Sequence, residues 1–223
     1  MPLRRLIRWF SGRKNIPGQP ADPATARPFT VVISSPRHFP QEQKIVCRLL
    51  DAGLSRFHLR KPDWGAEKIQ AWLKKIPAAY HSRIVVHAQP EIVEKLRLGG
   101  LHLRAAQQRP RNWAEEIPVS QSCHSFHELD SYAKHCAYAT LGPVFPSISK
   151  KGYLPQRTPE EYAVILECWA EEKGCPVLAL GGITPQNVPR LRQLGFAGFA
   201  VVGAVWESPD PVKGFQALLK AWR

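Results

Sequence analysis

LGPVFPSISKKGY at 141–153 and LALGGI at 178–183 decide the reading of this chain. Each opens as an apolar strand. The first runs into Gly-Pro and then a loop of hydroxyls and lysines; the second ends in Gly-Gly. One β–α unit separates them. Strand ends of this kind bring backbone N–H groups and small polar side chains to one point, a natural cradle for phosphate.

Working outward, the same rhythm recurs. Short apolar runs predict strands at 29–34, 56–60, 83–87, 100–103, 118–122, 138–141, 176–180 and 198–202. Their apolar character on both faces suits parallel strands buried on both sides. Helical periodicity fills the intervals at 41–52, 66–74, 91–98, 126–134, 159–169, 185–194 and 211–222. Thr158-Pro159 and Thr184-Pro185 pair a candidate N-cap with proline at the first helical position. Gly174 and Gly195 are candidate helix stops. The stretch 104–116 is rich in Gln, Arg and Pro and predicts a short helix or none. Eight β–α units in one chain of 223 residues predict an α/β fold, a single (β/α)8 TIM barrel over 29–223. A doubly wound open sheet is the alternative.

Residues 1–28 read differently. Arg4, Arg5, Arg8, Arg13, Lys14 and Arg27 stand against Asp22 alone, so this extension carries +5 of the net +13. Pro17, Pro20, Pro23 and Pro28 make its second half a linker. The arm is a basic disordered tail or a short amphipathic helix able to touch an anionic surface. It lacks the apolar core and cleavage site of a secretory signal. The basic body, at +8, favours anionic ligands such as phosphate esters. No nucleic-acid-binding motif is found. Cys47, Cys123, Cys136, Cys168 and Cys175 are odd in number and widely spaced, so no disulfide framework or zinc motif is expected and no metal ligand is assigned. Reduced thiols and the want of a membrane-length apolar run suggest a cytoplasmic protein. Trp169 and Trp206 on outer helices either pack locally or form the face of a homodimer.

In a (β/α)8 barrel the chemistry sits just past each strand. Arg60 ends an apolar strand, where a fixed guanidinium calls for an anion. Lys61 follows it. His87 and His102 read more readily as structural. Ser122 and His124 close the fifth strand, and His124 is the candidate acid/base. Cys123 beside it would point to the opposite face, which argues against a Cys–His nucleophile. Ser147, Ser149 and Lys150 would form a phosphate loop. Gly181-Gly182 and Gly203 would bring backbone close to the ligand.

These residues resemble a known family. FHLRKP, VVHAQPEIVEKLRLGGLHL, SQSCHSFHEL, LGPVFPSISKKGY, LALGGITPQNV and FAVVGAVW are similar, in order and spacing, to motifs of the thiamine phosphate synthase / thiazole tautomerase (TenI) superfamily. The resemblance runs from residue 29 to 222. It implies a TIM barrel, thiamine biosynthesis and a ligand such as thiazole phosphate or a thiamine-phosphate-like molecule. It implies that Ser147, Ser149, Gly182 and Gly203 surround the phosphate, and that Arg60, Ser122 and Lys150 face a pyrophosphate. The synthase branch uses Mg²⁺ held by aspartates, but those places here are Ala88, beside His87, and Arg104–Gln107, which reads RAAQ. The family lysine after the strand-2 arginine falls on Pro62, with Lys61 adjacent. The tautomerase branch needs no metal. Its histidine position after strand 6 is Pro143, so His124 or His87 would carry the proton. The expectation is a metal-independent TenI-like enzyme with no required cofactor. The alternatives are a Mg²⁺-using thiamine-phosphate synthase, a binder that lost catalysis, and a phosphosugar isomerase.

Overall fold

The computed structural model describes residues 27–110, 113–114, 116–146, 154–155, 157–172 and 174–222. Eight parallel strands close on themselves in chain order: β1 (Phe29–Ile33), β2 (Arg56–Leu59), β3 (Ile84–Val86), β4 (Gly100–Leu103), β5 (Val119–Cys123), β6 (Tyr138–Leu141), β7 (Val177–Leu180) and β8 (Gly198–Val201). The closing pair sets Phe29 opposite Gly198 and Val32 opposite Val201. A strand sequence apolar on alternate and intervening positions alike needs cover on both faces. Closure supplies one, and the helices supply the other.

The helices follow their apolar faces. In α1 (Glu42–Asp51), Val46, Leu49 and Leu50 fall on one stripe and are buried. Next come α2 (Ala66–Leu73), α3 (Pro90–Leu96) and a short α4 (Phe126–Glu128) that widens into a π-type turn over Leu129–Ala133. In α5 (Pro159–Glu171), Thr158 accepts from the Glu161 N–H while the Glu161 carboxylate returns to the Thr158 N–H. Such a reciprocal cap stabilises a helix start by about 1 kcal/mol. Then follow α6 (Val188–Gln193), α7 (Gly203–Trp206) and α8 (Pro211–Ala221), whose start is capped by the Asp210 carboxylate.

The differences from the sequence expectations are local. Strand β5 begins one residue late and includes Cys123. Residues 104–110 form no helix. Thr184 does not cap α6. The side chain of Asn187 accepts from the Thr184 N–H instead, and the helix starts at Val188. Trp169 and Trp206 are buried and pack locally, each indole N–H donating to a carbonyl, of Cys175 and Ile33 respectively. Most of the expected basic extension, residues 1–26, lies outside the described residues, as do Ser147, Ser149 and Lys150. No helix of the described residues is long and apolar enough to cross a membrane.

The barrel interior is divided by polarity. Val31, Leu178 and Ala200, from β1, β7 and β8, make an apolar cluster with Tyr138 of β6. The opposite wall carries His58 of β2, His102 of β4 and Ser120 of β5, all buried. Tyr138 joins the halves: its ring packs in the apolar cluster and its hydroxyl lies 2.5 Å from His58 Nε2.

Candidate active site

A cavity of about 830 Å³ opens at the C-terminal ends of the strands. Arg60, His87, Ser122, His124, Gly181, Gly182 and Gly203 all line it. The barrel thus brings together seven residues from five strand ends. Parallel strands in a closed sheet release every following loop at the same mouth, which is why the positions converge.

Lys61 stands apart. Its ammonium is buried, 2.9 Å from a Glu42 carboxylate oxygen and 2.8 Å from the Ser35 carbonyl. Burial holds the Glu42 carboxyl above its ordinary value while the lysine pulls it down. Arg60, the neighbour of Lys61 in sequence, remains at the mouth. Its backbone N–H donates to Ser34 Oγ, and its side chain takes part in no ion pair among the described residues.

His124 is fixed by its surroundings. Its backbone N–H donates to Glu128, and its Nδ1 lies 2.6 Å from the Gly142 carbonyl oxygen. A carbonyl only accepts, so Nδ1 carries the proton and Nε2 keeps the lone pair in the neutral ring. Nε2 has no hydrogen-bond partner among the described residues. A second cavity, of about 380 Å³ and lined by Glu128, Arg157 and Tyr162, reaches the same imidazole. The adjacent Cys123 is buried, and its thiol is pushed up to about 12 by burial and the Glu128 charge. That removes it as a nucleophile near neutral pH.

The glycine turn is shaped for close approach. Gly181 and Gly182 have φ of 97° and 62°. A Cβ on Gly182 would sit 2.3 Å from the Pro146 carbonyl oxygen. Asn187 Nδ2 donates to the Gly182 carbonyl and pins the turn. Facing it, a Cβ on Gly142 would sit 2.0 Å from the Leu180 carbonyl oxygen, so the β6 and β7 ends meet only because that residue is glycine.

Below the mouth lies a polar floor where His87, His102 and Ser122, read from the strand ends, meet His58 and Ser120, which that reading did not reach. His58 Nδ1 is 3.0 Å from His87 Nε2. His102 Nδ1 is 2.7 Å from Ser120 Oγ, and its Nε2 is 2.8 Å from Ser122 Oγ. The Thr140 hydroxyl oxygen is buried on the same cavity with no hydrogen-bond partner. Burial first, then neighbouring positive charge, depresses all three imidazoles, with His102 at about 3. All are neutral near pH 7. The usable signal was period 2: His58, Ser120 and Tyr138 each precede an inward strand-end residue by two positions.

Among the described residues, the cavity lining contains no aspartate or glutamate. Mg²⁺ takes hard oxygen ligands, usually with one or two carboxylates. Imidazoles, hydroxyls and two arginines do not make such a site, so the described residues do not fit Mg²⁺.

A family model described as thiamine monophosphate synthase matches residues 30–205. The thiamine-phosphate synthase of Bacteroides fragilis is 26% identical over 180 residues, covering 76% of this chain and 88% of that protein. The same-named protein of Erythrobacter litoralis is 30% identical over 152 residues, covering 65% and 70%. A crystal structure of thiamine phosphate pyrophosphorylase from Bacteroides thetaiotaomicron superposes with a TM-score of 0.72 at 30% identity, over 87% of this chain and 96% of that one. A thiamine phosphate pyrophosphorylase from Pyrococcus furiosus, at 22% identity and a TM-score of 0.71, shares the fold. The model match spans most of the barrel and every strand end described above, and on that ground the chain belongs to the thiamine monophosphate synthase family of thiamine biosynthesis.

Proposed function

We propose that this enzyme acts on a thiazole phosphate and moves a proton on its ring without Mg²⁺, in the manner of the tautomerase branch. The orientation of His124 carries the reading. Its Nδ1–H is held by Gly142 and its Nε2 is left basic at the cavity. The base takes a proton from one ring-system carbon as the double bond shifts, and returns it to another. No group leaves, so no metal is needed to stabilise a departing anion.

The other residues have matching roles in this reading. Arg60 pairs the substrate carboxylate. Gly182 and Gly203 present backbone to the phosphate, with Ser147, Ser149 and Lys150 completing the loop. Ser122 and His87 bound the ring. Lys61, held by Glu42, supports the Arg60 turn from behind.

The names of the relatives favour a second reading, true thiamine-phosphate synthesis from a pyrimidine pyrophosphate and thiazole phosphate. There Arg60 and Lys150 would stabilise the leaving pyrophosphate. The want of a carboxylate among the described residues lining the cavity counts against it. Turnover assays separate the two. Purified protein is given the thiazole carboxylate phosphate tautomer, and separately the synthase substrates, each with Mg²⁺ and with chelator. Tautomerisation in chelator is the expected result. Mg²⁺-dependent thiamine phosphate with no tautomerisation overturns the proposal. Ligand binding with no turnover in any arm leaves a binder and overturns it too.

A further inference from the structure

Three imidazoles from three consecutive strands converge at the cavity floor. One ring nitrogen each from His58, His87 and His102 lies within 4.8 Å of the others. Ring centroids are 4.4–5.1 Å apart. His87 and His102 line the cavity, and His58 lies fully buried beside them.

We propose that His58, His87 and His102 form a binding site for a divalent ion of the zinc type, with its open coordination position toward the cavity. The donors are nitrogen only. Imidazole suits Zn²⁺, Co²⁺ and Ni²⁺, whereas Mg²⁺ calls for oxygen. Three protein nitrogens and one open position is an arrangement zinc adopts where it meets water or substrate.

The distances are compatible with one shared ion. Two nitrogens on a tetrahedral zinc, each about 2.0–2.1 Å from the metal, stand about 3.3 Å apart. His58 Nδ1 and His87 Nε2 are 3.0 Å apart, held now by a single shared proton. An ion between them would displace that proton. The widest of the three separations, at most 4.8 Å, would close by rotation about the terminal side-chain torsions, which are broad.

The surroundings support the same reading. A metal-bound histidine usually passes its other N–H to an oxygen, which fixes tautomer and orientation. Here His58 Nε2 meets the Tyr138 hydroxyl and His102 Nδ1 meets Ser120 Oγ, while His102 Nε2, now 2.8 Å from Ser122 Oγ, would exchange that hydroxyl for the ion. Thr140 pairs with Ser122 across β5 and β6 and brings a buried, unpartnered hydroxyl oxygen to the same floor. A water or substrate oxygen on the fourth position would give it a partner. This site takes no part in the proton transfer assigned to His124.

The test is metal binding by the untagged full chain, stripped with chelator and dialysed. Co²⁺ is titrated as the optical stand-in, then displaced with Zn²⁺, with metal content measured independently. One equivalent should bind, with the visible bands of a four-coordinate nitrogen site, and Zn²⁺ should abolish them. Excess Mg²⁺ should leave them unchanged. His87→Ala and His58→Gln should each weaken binding by about tenfold or more. His127→Ala, at an exposed surface histidine, should not. Far-UV circular dichroism of each variant checks folding, and His87, at the cavity wall, is the more tolerant position. Absence of saturable one-equivalent binding in the parent protein overturns the site, whatever the variants do. So does binding that survives both substitutions in folded protein. The readout is metal binding, so failure here is distinguishable from failure of the proton-transfer reading.

Discussion

His124 Nδ1 and the carbonyl oxygen of Gly142 are 2.6 Å apart, a bond that joins the end of β5 to the end of β6 and sets which nitrogen of the imidazole is basic. His124→Gln keeps a polar side chain of similar reach but cannot relay a proton. Turnover of the thiazole substrate should fall about 10²–10⁴-fold, the usual contribution of a positioned acid/base group. Calorimetric affinity for a thiazole phosphate should change little. Loss of binding in parallel with turnover would make His124 a ligand contact and sink its assignment as the proton carrier.

The buried histidines predict acid sensitivity. The folded pKa values of His58 and His102 lie far below the ordinary value of 6.5. Below 6.5 the unfolded chain takes up protons that these two folded imidazoles refuse. The unfolded state then binds more protons, so stability falls as pH falls. The loss steepens as pH falls below 6.5, and the slopes of the two groups add. Glu42 acts in the opposite sense: its raised folded value favours the folded state as pH drops toward 4.5. Urea unfolding at pH 7.5, 6.5 and 5.5 checks this. Stability unchanged between 6.5 and 5.5 would show that the imidazoles are not held neutral.

Glu42 and Lys61 form a buried pair behind the Arg60 turn. Removing one partner strands a charge in a dry site and should cost about 3–5 kcal/mol. Lys61→Met and Glu42→Leu should each lower the denaturation midpoint strongly. The double variant should recover most of that loss, because apolar replacement of both charges removes the desolvation cost. Additive losses in the double variant would mean the pair is not coupled.

The alternation of apolar runs and helical periods made the barrel legible, because a parallel sheet covered on both sides leaves that pattern in sequence. The site was legible where chemistry sits at strand ends: Arg60, Ser122, His124 and Gly182 meet at one mouth. It was not legible one layer deeper. His58 and Tyr138 lie 80 positions apart, and only strand register brings them into contact. Lys61 illustrates the same limit. Its sequence neighbour faces the cavity, yet pleating sends it to Glu42, and no local pattern marks that partner. Asn187 was hidden by a competing signal, since Thr184-Pro185 reads as a helix start and the chain instead makes a turn there.

Gly182 ties the fold to phosphate binding. Its φ of 62° is left-handed, and the pinned turn leaves a Cβ no room against the Pro146 carbonyl and the Phe145 backbone. Gly182→Ala must move the turn, with about 1 kcal/mol or more of backbone strain added to the displacement. The backbone the ligand approaches moves with it. Asn187→Ala perturbs the same turn more gently, by removing the bond to the Gly182 carbonyl while leaving the glycine in place. Both should raise KM for a phosphorylated substrate, the first more than the second. Neither should alter the pH dependence of kcat, because His124 and Gly142 lie on other strands. Equal KM for phosphorylated and dephosphorylated substrate in the parent enzyme would remove the phosphate from this turn, and a shifted kcat profile in Asn187→Ala would tie the turn to the proton transfer.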